Sequence, residues 1–333
     1  MEGMVSLEDI RCARERIAGV ANRTPLVRFY PGSPELQASS AGRLYLKPES
    51  FQPIGSFKLR GAYNKVASLT AEERARGVIT YSSGNHAQGV AYAARELKAH
   101  AVIVMPHAAP KVKMQATAAL GAEIVLVGSG SEERRHRAEE LARERGYVVI
   151  PPYDDPQIIA GQGTIGLEIH DDLPEVDLVL VPVGGGGLSS GVATALKLSG
   201  SHARVIGVEP ELANDAQQSL RAGSVIAIPA ERASSTLADG LRTQSIGQLN
   251  FEHLSRYLDD IVTVSEAEIR RAVRVMAQEA RLVAEPSGAV TLAAWLFHAR
   301  ELPRGRTSVA VVSGGNIEPE LLAAILGEPG PEL

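Results

Sequence analysis

The sequence predicts an α/β protein with two open, twisted, mainly parallel sheets flanked by helices. Between residues 77 and 152, short apolar runs that suit buried strands alternate with longer stretches that suit helices. The alternation returns between about residues 160 and 326, and this rhythm is typical of βα units in a parallel sheet. Three predicted strands run into small polar residues and glycine. Because ligands bind beyond the carboxyl ends of such strands, these ends are candidates for a functional site.

The first set of predicted elements alternates strictly between strand and helix. Gly121 and Gly146 follow two of the helices, and glycine commonly ends a helix. This set predicts a small domain over residues 69–152. The strands are predicted at 77–81, 101–105, 123–127 and 148–150, and the helices at 90–97, 111–120 and 132–145.

Composition excludes several classes of protein. The chain has 333 residues, 44% of them hydrophobic and 22% charged, which is ordinary for a globular protein with a large core. The net charge of −5 gives no indication of a nucleic-acid or membrane partner. The single cysteine, Cys12, excludes an internal disulfide. With neither a signal-peptide pattern nor a long apolar run, we expect a soluble cytoplasmic protein.

Lys58 is the strongest candidate for a catalytic residue. It lies between Phe57 and Leu59 near a predicted helix start. Desolvation there would favour the neutral amine, which is the form that reacts with an aldehyde cofactor to give a Schiff base. The alternative is an ordinary surface lysine with a buried stem.

The polar residues after the strand at 77–81 form a second candidate site. They are Ser82, Ser83, Gly84, Asn85 and His86, and a helix is predicted to follow. Free N–H groups at the positive end of that helix would bind a carboxylate or phosphate. The alternative is simple helix capping by Ser83 or Asn85.

Two later strands end in glycine-rich turns. The strand at 178–183 runs into Gly184, Gly185, Gly186 and Gly187, with a helix predicted from Ser189. Consecutive glycines let the backbone curl so that several N–H groups face one anion, which favours a phosphate cradle over a flexible turn. The strand at 308–312 ends at Ser313 and is followed by Gly314, Gly315 and Asn316. Ser313 is either a ligand-facing residue or a simple turn residue.

In this order, the four motifs resemble those of the fold-type II pyridoxal-phosphate enzymes, whose fold is like that of the tryptophan synthase β subunit. Within that group the chain is most similar to the threonine/serine dehydratase (ammonia-lyase) and serine racemase family, over about residues 5 to 326. Leu59 follows the lysine, where the β-replacement and threonine synthase branches tend to have an acidic residue; this favours the dehydratase branch. The resemblance implies a large pyridoxal-phosphate domain over residues 1–68 plus 153–333, with the active site in the cleft between it and the small domain.

The resemblance also implies the cofactor contacts of pyridoxal 5'-phosphate. Lys58 would form the Schiff base and act as general base, with Phe57 packed beside the ring. Asn85 would bind the 3-hydroxyl and Ser313 the pyridine nitrogen. A neutral hydroxyl at that nitrogen suits prompt loss of a β-hydroxyl from the substrate. Residues 184–187 would hold the phosphate, and Glu285 would lie behind the ring, unless it is only a favourable charge at a helix start.

Substrate contacts follow from the same resemblance. The segment Ser82 to His86 would hold the substrate carboxylate. Ser83 matches the acid/base that faces the lysine from the opposite side in serine racemases, although dehydratases also have serine there. Tyr153 and Asp154 match the loop at the substrate's side-chain end.

A metal site is implied in the same way. Glu209, the Ala213 carbonyl and Asp215 match the residues that bind Mg²⁺ or Ca²⁺ in serine racemase-like proteins, and hard oxygen ligands suit both ions. The alternative is a pair of solvated surface carboxylates.

The expected function is pyridoxal-phosphate-dependent dehydration of L-threonine and L-serine to a 2-oxo acid and ammonia. One alternative is a serine racemase with side dehydratase activity. Another is a dehydratase for a different 3-hydroxy amino acid, such as 3-hydroxyaspartate or phenylserine. A non-catalytic amino-acid- or nucleotide-binding protein is the alternative from another class. We expect a homodimer or a dimer of dimers.

Overall fold

The fold is described from a computed structural model over residues 3–32, 42–107, 109, 111–128 and 131–328. Within these ranges ten strands form two sheets. The strands are β1 (Val27–Phe29), β2 (Arg43–Pro48), β3 (Val78–Tyr81), β4 (Ala101–Pro106), β5 (Glu123–Val127), β6 (Val148–Val149), β7 (Leu178–Pro182), β8 (Arg204–Pro210), β9 (Asp260–Val264) and β10 (Thr307–Val312).

Helices cover the faces of both sheets. Among the described residues, none of them is long and apolar enough to cross a membrane. The helices are α1 (Leu7–Ile17), α2 (Lys58–Ser68), α3 (Ala71–Arg76), α4 (Asn85–Glu96), α5 (Lys111–Ala119), α6 (Ser131–Arg145), α7 (Pro156–Asp172), α8 (Gly187–Leu198), α9 (Asp215–Ala222), α10 (Ala230–Ser234), α11 (Gln248–Tyr257), α12 (Glu266–Val275), α13 (Pro286–Phe297) and α14 (Pro319–Gly327).

The larger sheet has six strands in the order β1-β2-β10-β7-β8-β9. Only the edge pair β1 and β2 is antiparallel, and every other neighbouring pair is parallel. The carboxyl ends of β10, β7 and β8 therefore lie at one edge of the sheet. Strands β7 and β10 are buried along their whole length, as expected for a parallel sheet covered on both faces.

The smaller sheet has four parallel strands in the order β5-β4-β3-β6. All of them fall between residues 78 and 149. The predicted class, two mainly parallel sheets flanked by helices, is confirmed. The division of the chain into a large and a small domain at residues 69 and 152 stays a prediction.

Two helices at the strand ends begin earlier than predicted. Helix α4 begins at Asn85 rather than near Val90, and α8 begins at Gly187 rather than Ser189. Polar residues and glycine are weak helix formers, so they read as loop in the sequence. The first turn of a helix tolerates them because its N–H groups have no partner within the helix. The consequence is that both glycine-rich turns contribute helix N-termini directly.

Helix α2, which begins at Lys58, crosses α7 with direct backbone contact. A Cβ atom added to Gly161 would lie 2.6 Å from the Cα atom of Gly61. The backbone N–H of Gly61 also donates to Gln162 Oε1 at 3.3 Å. A side chain at either glycine would separate the helices, so this crossing fixes the position of the helix that begins at Lys58.

Four buried charges surround the first turn of α2. Arg60 Nε lies 2.7 Å from Glu49 Oε2, and Arg60 Nη1 lies 2.6 Å from Glu168 Oε1. Lys47 Nζ lies 2.6 Å from Glu168 Oε2. We call Lys47, Glu49, Arg60 and Glu168 the buried ion cluster. Two positive and two negative charges compensate each other, which is the condition for burying ions at all.

Candidate active site

Strand ends bring the predicted site residues together. Ser82 to Gly84 follow β3, Gly184 to Gly187 follow β7, and Ser313 follows β10. The backbone N–H of Phe57 donates to the Ser313 carbonyl at 3.0 Å, which joins the start of α2 to the end of β10. The lysine and serine motifs, which lie far apart in the sequence, are thus neighbours.

Lys58 lies in an environment that weakens its charge. Its Nζ donates to the carbonyl oxygen of Pro152 at 2.6 Å and lies 5.2 Å from the centre of the Phe57 ring. Desolvation lowers the pKa of Lys58 to about 8. A much larger fraction of the amine is therefore neutral near pH 7 than for a solvated lysine, and only the neutral amine is a nucleophile or base.

The tetraglycine turn packs so closely against its neighbours that side chains there would clash. A Cβ atom on Gly185 would lie 2.2 Å from the Tyr153 ring, and one on Gly187 would lie 3.1 Å from Tyr153 Cβ. Gly186 has φ +96 and is the N-cap of α8, whose N-terminal N–H groups point into this turn. A cradle of backbone N–H groups at a twelve-residue helix suits a phosphate.

Glu285 and Asn316 hold the side chain of Asn85 from two sides. Asn85 Nδ2 donates to Glu285 Oε1 at 2.7 Å, and Asn316 Nδ2 donates to Asn85 Oδ1 at 2.8 Å. Burial raises the pKa of Glu285 to about 7, and Asp239 acts in the same direction, while the bond from Asn85 opposes the shift. Asn85 thus stands at the start of α4 with its amide engaged on both ends.

The start of α4 has free backbone donors. Its N-cap is Gly84 and no side chain caps it, so the alternative in which Ser83 or Asn85 caps the helix is wrong. Ser82 Oγ accepts a long, local bond from the Gly84 N–H at 3.3 Å. The N–H groups of this helix start remain available for an anion such as a carboxylate.

His86 is held neutral beside this helix start. It is 3% exposed, and its Nε2 lies 3.0 Å from the Ile150 carbonyl oxygen. Burial, with a contribution from Lys58, lowers the pKa of His86 to about 3. A neutral ring whose Nε2 donates to a carbonyl leaves Nδ1 as an acceptor, and that atom is buried without a partner.

Ser313 is buried at the end of β10. Its Oγ donates to the Ser287 carbonyl at 3.3 Å, a long bond that leaves the hydroxyl free to rotate toward another acceptor or donor. Ser287 follows Glu285 on the first turn of α13, so this helix start and the end of β10 pack together. Among the described residues, the hydroxyl of Ser313 thus bonds to a backbone carbonyl rather than to a carboxylate.

The two residues predicted at the substrate's side-chain end have different environments. Tyr153 lies over the tetraglycine turn, and burial raises the pKa of its hydroxyl. The Asp154 carboxylate instead accepts backbone N–H bonds from Gln248 at 3.1 Å and Asn250 at 3.2 Å. It therefore caps α11, a role that sequence inspection missed because the capped helix lies 94 residues further on.

Glu209, near the end of β8, and Asp215, at the start of α9, lie in the interior and influence each other's charge. Both are fully buried, so the alternative of two solvated surface carboxylates is wrong. Glu209 accepts backbone N–H bonds from Ala216 at 3.0 Å and Gln217 at 2.8 Å. Among the described residues, neither side-chain oxygen of Asp215 has a hydrogen-bond partner.

Burial raises the pKa of both carboxyls, Glu209 with an added contribution from Asp215, and Asp215 to about 7. The backbone N–H groups of Asp215 and Ile246 and the Thr243 hydroxyl lie near enough to oppose the shift at Asp215, but none of them makes a well-formed hydrogen bond to it and the shift remains. Within the described ranges, no group of three or more histidine, cysteine, aspartate or glutamate side chains could hold a metal ion. The predicted set has only two such side chains and relies on the Ala213 carbonyl and water for the rest.

Comparison with known proteins gives one family over most of the chain. The family model described as "Pyridoxal-phosphate dependent enzyme" matches residues 17–314. The chain is 44% identical over 327 residues to the L-threonine ammonia-lyase of Thermotoga maritima, covering 98% of this chain and 79% of that protein. It is 39% identical over 327 residues to the L-threo-3-hydroxyaspartate ammonia-lyase of Saccharomyces cerevisiae, covering 98% of each.

Solved structures agree with this assignment. The structure of maize serine racemase superposes with a TM-score of 0.90 at 35% identity, covering 96% of both chains. The resemblance inferred from the four motifs is thereby confirmed.

Proposed function

Because the chain belongs to the family of pyridoxal-phosphate-dependent enzymes, we propose that it converts L-threonine and L-serine to 2-oxo acids and ammonia. One observation carries the proposal: the amine of Lys58, with its pKa lowered to about 8, lies beside the Pro152–Tyr153 segment that covers the tetraglycine turn. A reactive amine and a phosphate cradle are thus joined by one short segment. The similarity to threonine ammonia-lyase supports the substrate class.

The described residues fit pyridoxal 5'-phosphate at this place. Residues 184–187 would hold its phosphate through backbone N–H groups at the start of α8, where no side-chain cap competes for them. Lys58 would bind its aldehyde carbon, with Phe57 beside the ring, and Ser313 and Asn85 would contact the ring's polar atoms. When bound, the cofactor supplies an electron-withdrawing ring.

The substrate would be held by the N-terminus of α4. Its free N–H groups and the Ser82 and Ser83 hydroxyls suit a carboxylate. The neutral amine of Lys58 can then take a proton from the carbon next to that carboxylate, and β-hydroxyl loss follows. A neutral hydroxyl such as that of Ser313, rather than an acid, beside the ring nitrogen would leave the bound ring a weaker electron acceptor, which suits this elimination.

Serine racemisation is the second candidate, and Ser83 is the observation that favours it. Racemisation requires an acid/base on the side of the substrate opposite Lys58. Ser83 is at the uncapped start of α4 and is free of a helix-capping bond. The similarity to maize serine racemase supports the same assignment.

We also propose that Glu209, the Ala213 carbonyl and Asp215 bind Mg²⁺ or Ca²⁺. The support is the pair of buried Asp215 oxygens without a partner, next to a second buried carboxylate. Oxygen-only ligands at a buried, doubly negative site suit these hard cations.

We further propose that the protein is a cytoplasmic homodimer. Phe51 and Val283 are 47% and 51% exposed and line one open depression of about 370 Å³. Exposed apolar side chains grouped in this way are typical of an interface. Sedimentation of the purified protein measures the oligomeric state directly, and a monomer at micromolar concentration would contradict the proposal.

The function is tested by incubating purified, cofactor-loaded protein with single amino acids. We expect L-threonine and L-serine to give a 2-oxo acid and ammonia in equal amounts. Formation of D-serine from L-serine would identify racemisation. Turnover of 3-hydroxyaspartate or phenylserine alone would show that one of these is the substrate instead of L-threonine or L-serine. Lys58→Ala should remain folded but lose turnover and the visible absorbance of the bound cofactor. Borohydride trapping of the cofactor on another lysine would overturn the assignment of Lys58.

A further inference from the structure

Asn316 ends the Ser-Gly-Gly-Asn motif, and the proposed roles leave it unused. Its side chain lies between the backbone of Ile54, just before α2, and the side chain of Asn85 at the start of α4. The Nδ2 atom is 2.9 Å from the Ile54 carbonyl oxygen and 2.8 Å from Asn85 Oδ1. Asn316 therefore connects three segments of the site.

The chemistry of these groups fixes which way the Asn316 amide faces. A backbone carbonyl oxygen can only accept a hydrogen bond, so the group of Asn316 that faces Ile54 must be the NH2 group. The same nitrogen faces Asn85, so its two hydrogens are both used. Because Asn316 donates, the atom of Asn85 that receives the bond must be its carbonyl oxygen.

The orientation of the Asn85 amide also fixes which of its atoms faces Glu285. With its oxygen turned to Asn316, Asn85 presents Nδ2 to Glu285 Oε1 at 2.7 Å, and a carboxylate oxygen accepts this bond. An amide nitrogen has two hydrogens, so one N–H remains. Asn85 consequently has a free donor, while its oxygen is already engaged.

We propose that Asn316 and Glu285 are positioning residues that lock the Asn85 amide so that its free N–H, and not its oxygen, meets the ring oxygen of the cofactor. The inference rests on the proposed function, which places Asn85 at that oxygen. An N–H donor stabilises the ionised ring oxygen through a charge-assisted bond. A flipped amide would direct its own oxygen at the ionised ring oxygen and destabilise it. By holding the Asn85 amide in this orientation, Asn316 and Glu285 would therefore favour the ionised form of the ring oxygen in the bound cofactor.

The test is the absorption spectrum of the full-length, cofactor-loaded protein. The ionised ring absorbs in the visible and the neutral tautomer in the near ultraviolet. Asn316→Ala frees the Asn85 amide, so we expect the visible-to-ultraviolet ratio to fall several-fold and the dissociation constant of the cofactor to rise several-fold. Asn316→Asp has the same volume but cannot donate, and it should show the same change if the alanine variant folds poorly.

Asn64→Ala is the matched control. Asn64 is a fully buried asparagine on α2 whose Oδ1 accepts from Arg16 Nη1 at 2.5 Å and whose Nδ2 donates to the Gln157 carbonyl at 2.7 Å. Its removal deletes a hydrogen-bonded asparagine amide, as at Asn316, but one that lies away from Asn85. We expect a lower melting temperature with an unchanged absorbance ratio.

A double-mutant cycle decides whether Asn316 acts through Asn85. In the Asn85→Ala background, Asn316→Ala should leave the absorbance ratio where Asn85→Ala alone puts it. The positioning role of Asn316 would be overturned if Asn316→Ala changed the absorbance ratio equally in the wild-type and Asn85→Ala backgrounds. It would also be overturned if neither Asn316 variant changed the ratio. In both cases the proposed function would stand. A wild-type protein that takes up no pyridoxal phosphate would overturn the proposed function itself.

Discussion

Replacing Asp215 with asparagine should stabilise the protein when metal is absent. The Asp215 carboxylate is fully buried, neither oxygen has a hydrogen-bond partner, and Glu209 places a second carboxylate nearby. Asparagine has nearly the same shape but no charge. In a chelating buffer at pH 8, Asp215→Asn should therefore unfold at a higher temperature than the wild type.

The size of the effect follows from the pKa of Asp215, which burial raises from 3.8 to about 7. Raising that pKa from 3.8 to about 7 corresponds to about 4 kcal/mol of destabilisation by the charged form. For a chain of this length that is a difference of about 5 °C in melting temperature.

The sign depends on pH. A raised carboxyl pKa means that the folded state holds a proton that the unfolded state has lost, so stability falls as the pH rises from 3.8 through about 7. The destabilisation is complete above about pH 7 and should shrink to about 2 kcal/mol at pH 5. The advantage of Asp215→Asn should shrink with it.

Scanning calorimetry at pH 8 and pH 5, with and without Mg²⁺ or Ca²⁺, measures the melting temperatures of the wild type and of Asp215→Asn. A cation that binds only the folded state should raise the melting temperature of the wild type and leave Asp215→Asn unchanged. Glu211→Gln, which removes an exposed carboxylate two residues from Glu209, is the control and should change neither. A variant that melts at or below the wild type in chelator at pH 8 would refute the reasoning, as would a difference that is independent of pH.

Three further outcomes are expected. Ser83→Ala should abolish any conversion of L-serine to D-serine and weaken L-threonine elimination by about 1.5–3 kcal/mol for one lost charge-assisted bond; chiral chromatography that still finds D-serine would assign the second acid/base elsewhere. Gly185→Ala places a Cβ atom 2.2 Å from the Tyr153 ring and should speed loss of the cofactor on dialysis, whereas Gly327→Ala, with nothing within 4 Å, should not. Because burial lowers the pKa of Lys58 from 10.5 to about 8, uptake of pyridoxal phosphate by the cofactor-free protein should rise with pH and level off above about 8, and a midpoint near 10.5 would show a solvated amine.

The sequence predicts the local parts of the site better than the contacts between them. Lys58, the tetraglycine turn and Ser313 stand in short motifs, and it is the order of these motifs along the chain, through the family resemblance, that indicates their chemistry. The bond from Asp154 to α11 spans 94 residues and depends on how two segments approach, so no local pattern indicates it. Asn316 belongs to a motif in the sequence, but its positioning role depends on its contacts with Ile54 and Asn85, which the sequence does not indicate.

The first residues of helices and the burial of side chains were also less predictable, because both depend on tertiary contacts. Helix α4 begins at Asn85 because tertiary contacts hold a polar first turn that has little intrinsic preference for helix. For Glu209 and Asp215 the sequence left a metal site and a pair of surface acids open, since most carboxylates are exposed. Only the fold shows that the end of β8 and the start of α9 place these two side chains in the interior.

The buried ion cluster also constrains the order in which the protein can be assembled. Glu49 and Arg60 belong to the N-terminal part of the chain, while Glu168 lies more than a hundred residues later. Until α7 docks, Arg60 and Lys47 lack one of their two counter-charges, and an uncompensated buried ion is strongly destabilising. The helix that begins at Lys58 therefore reaches its final place only when both parts have met. Because Lys58 begins this helix, the native position of Lys58 depends on the docking of α7.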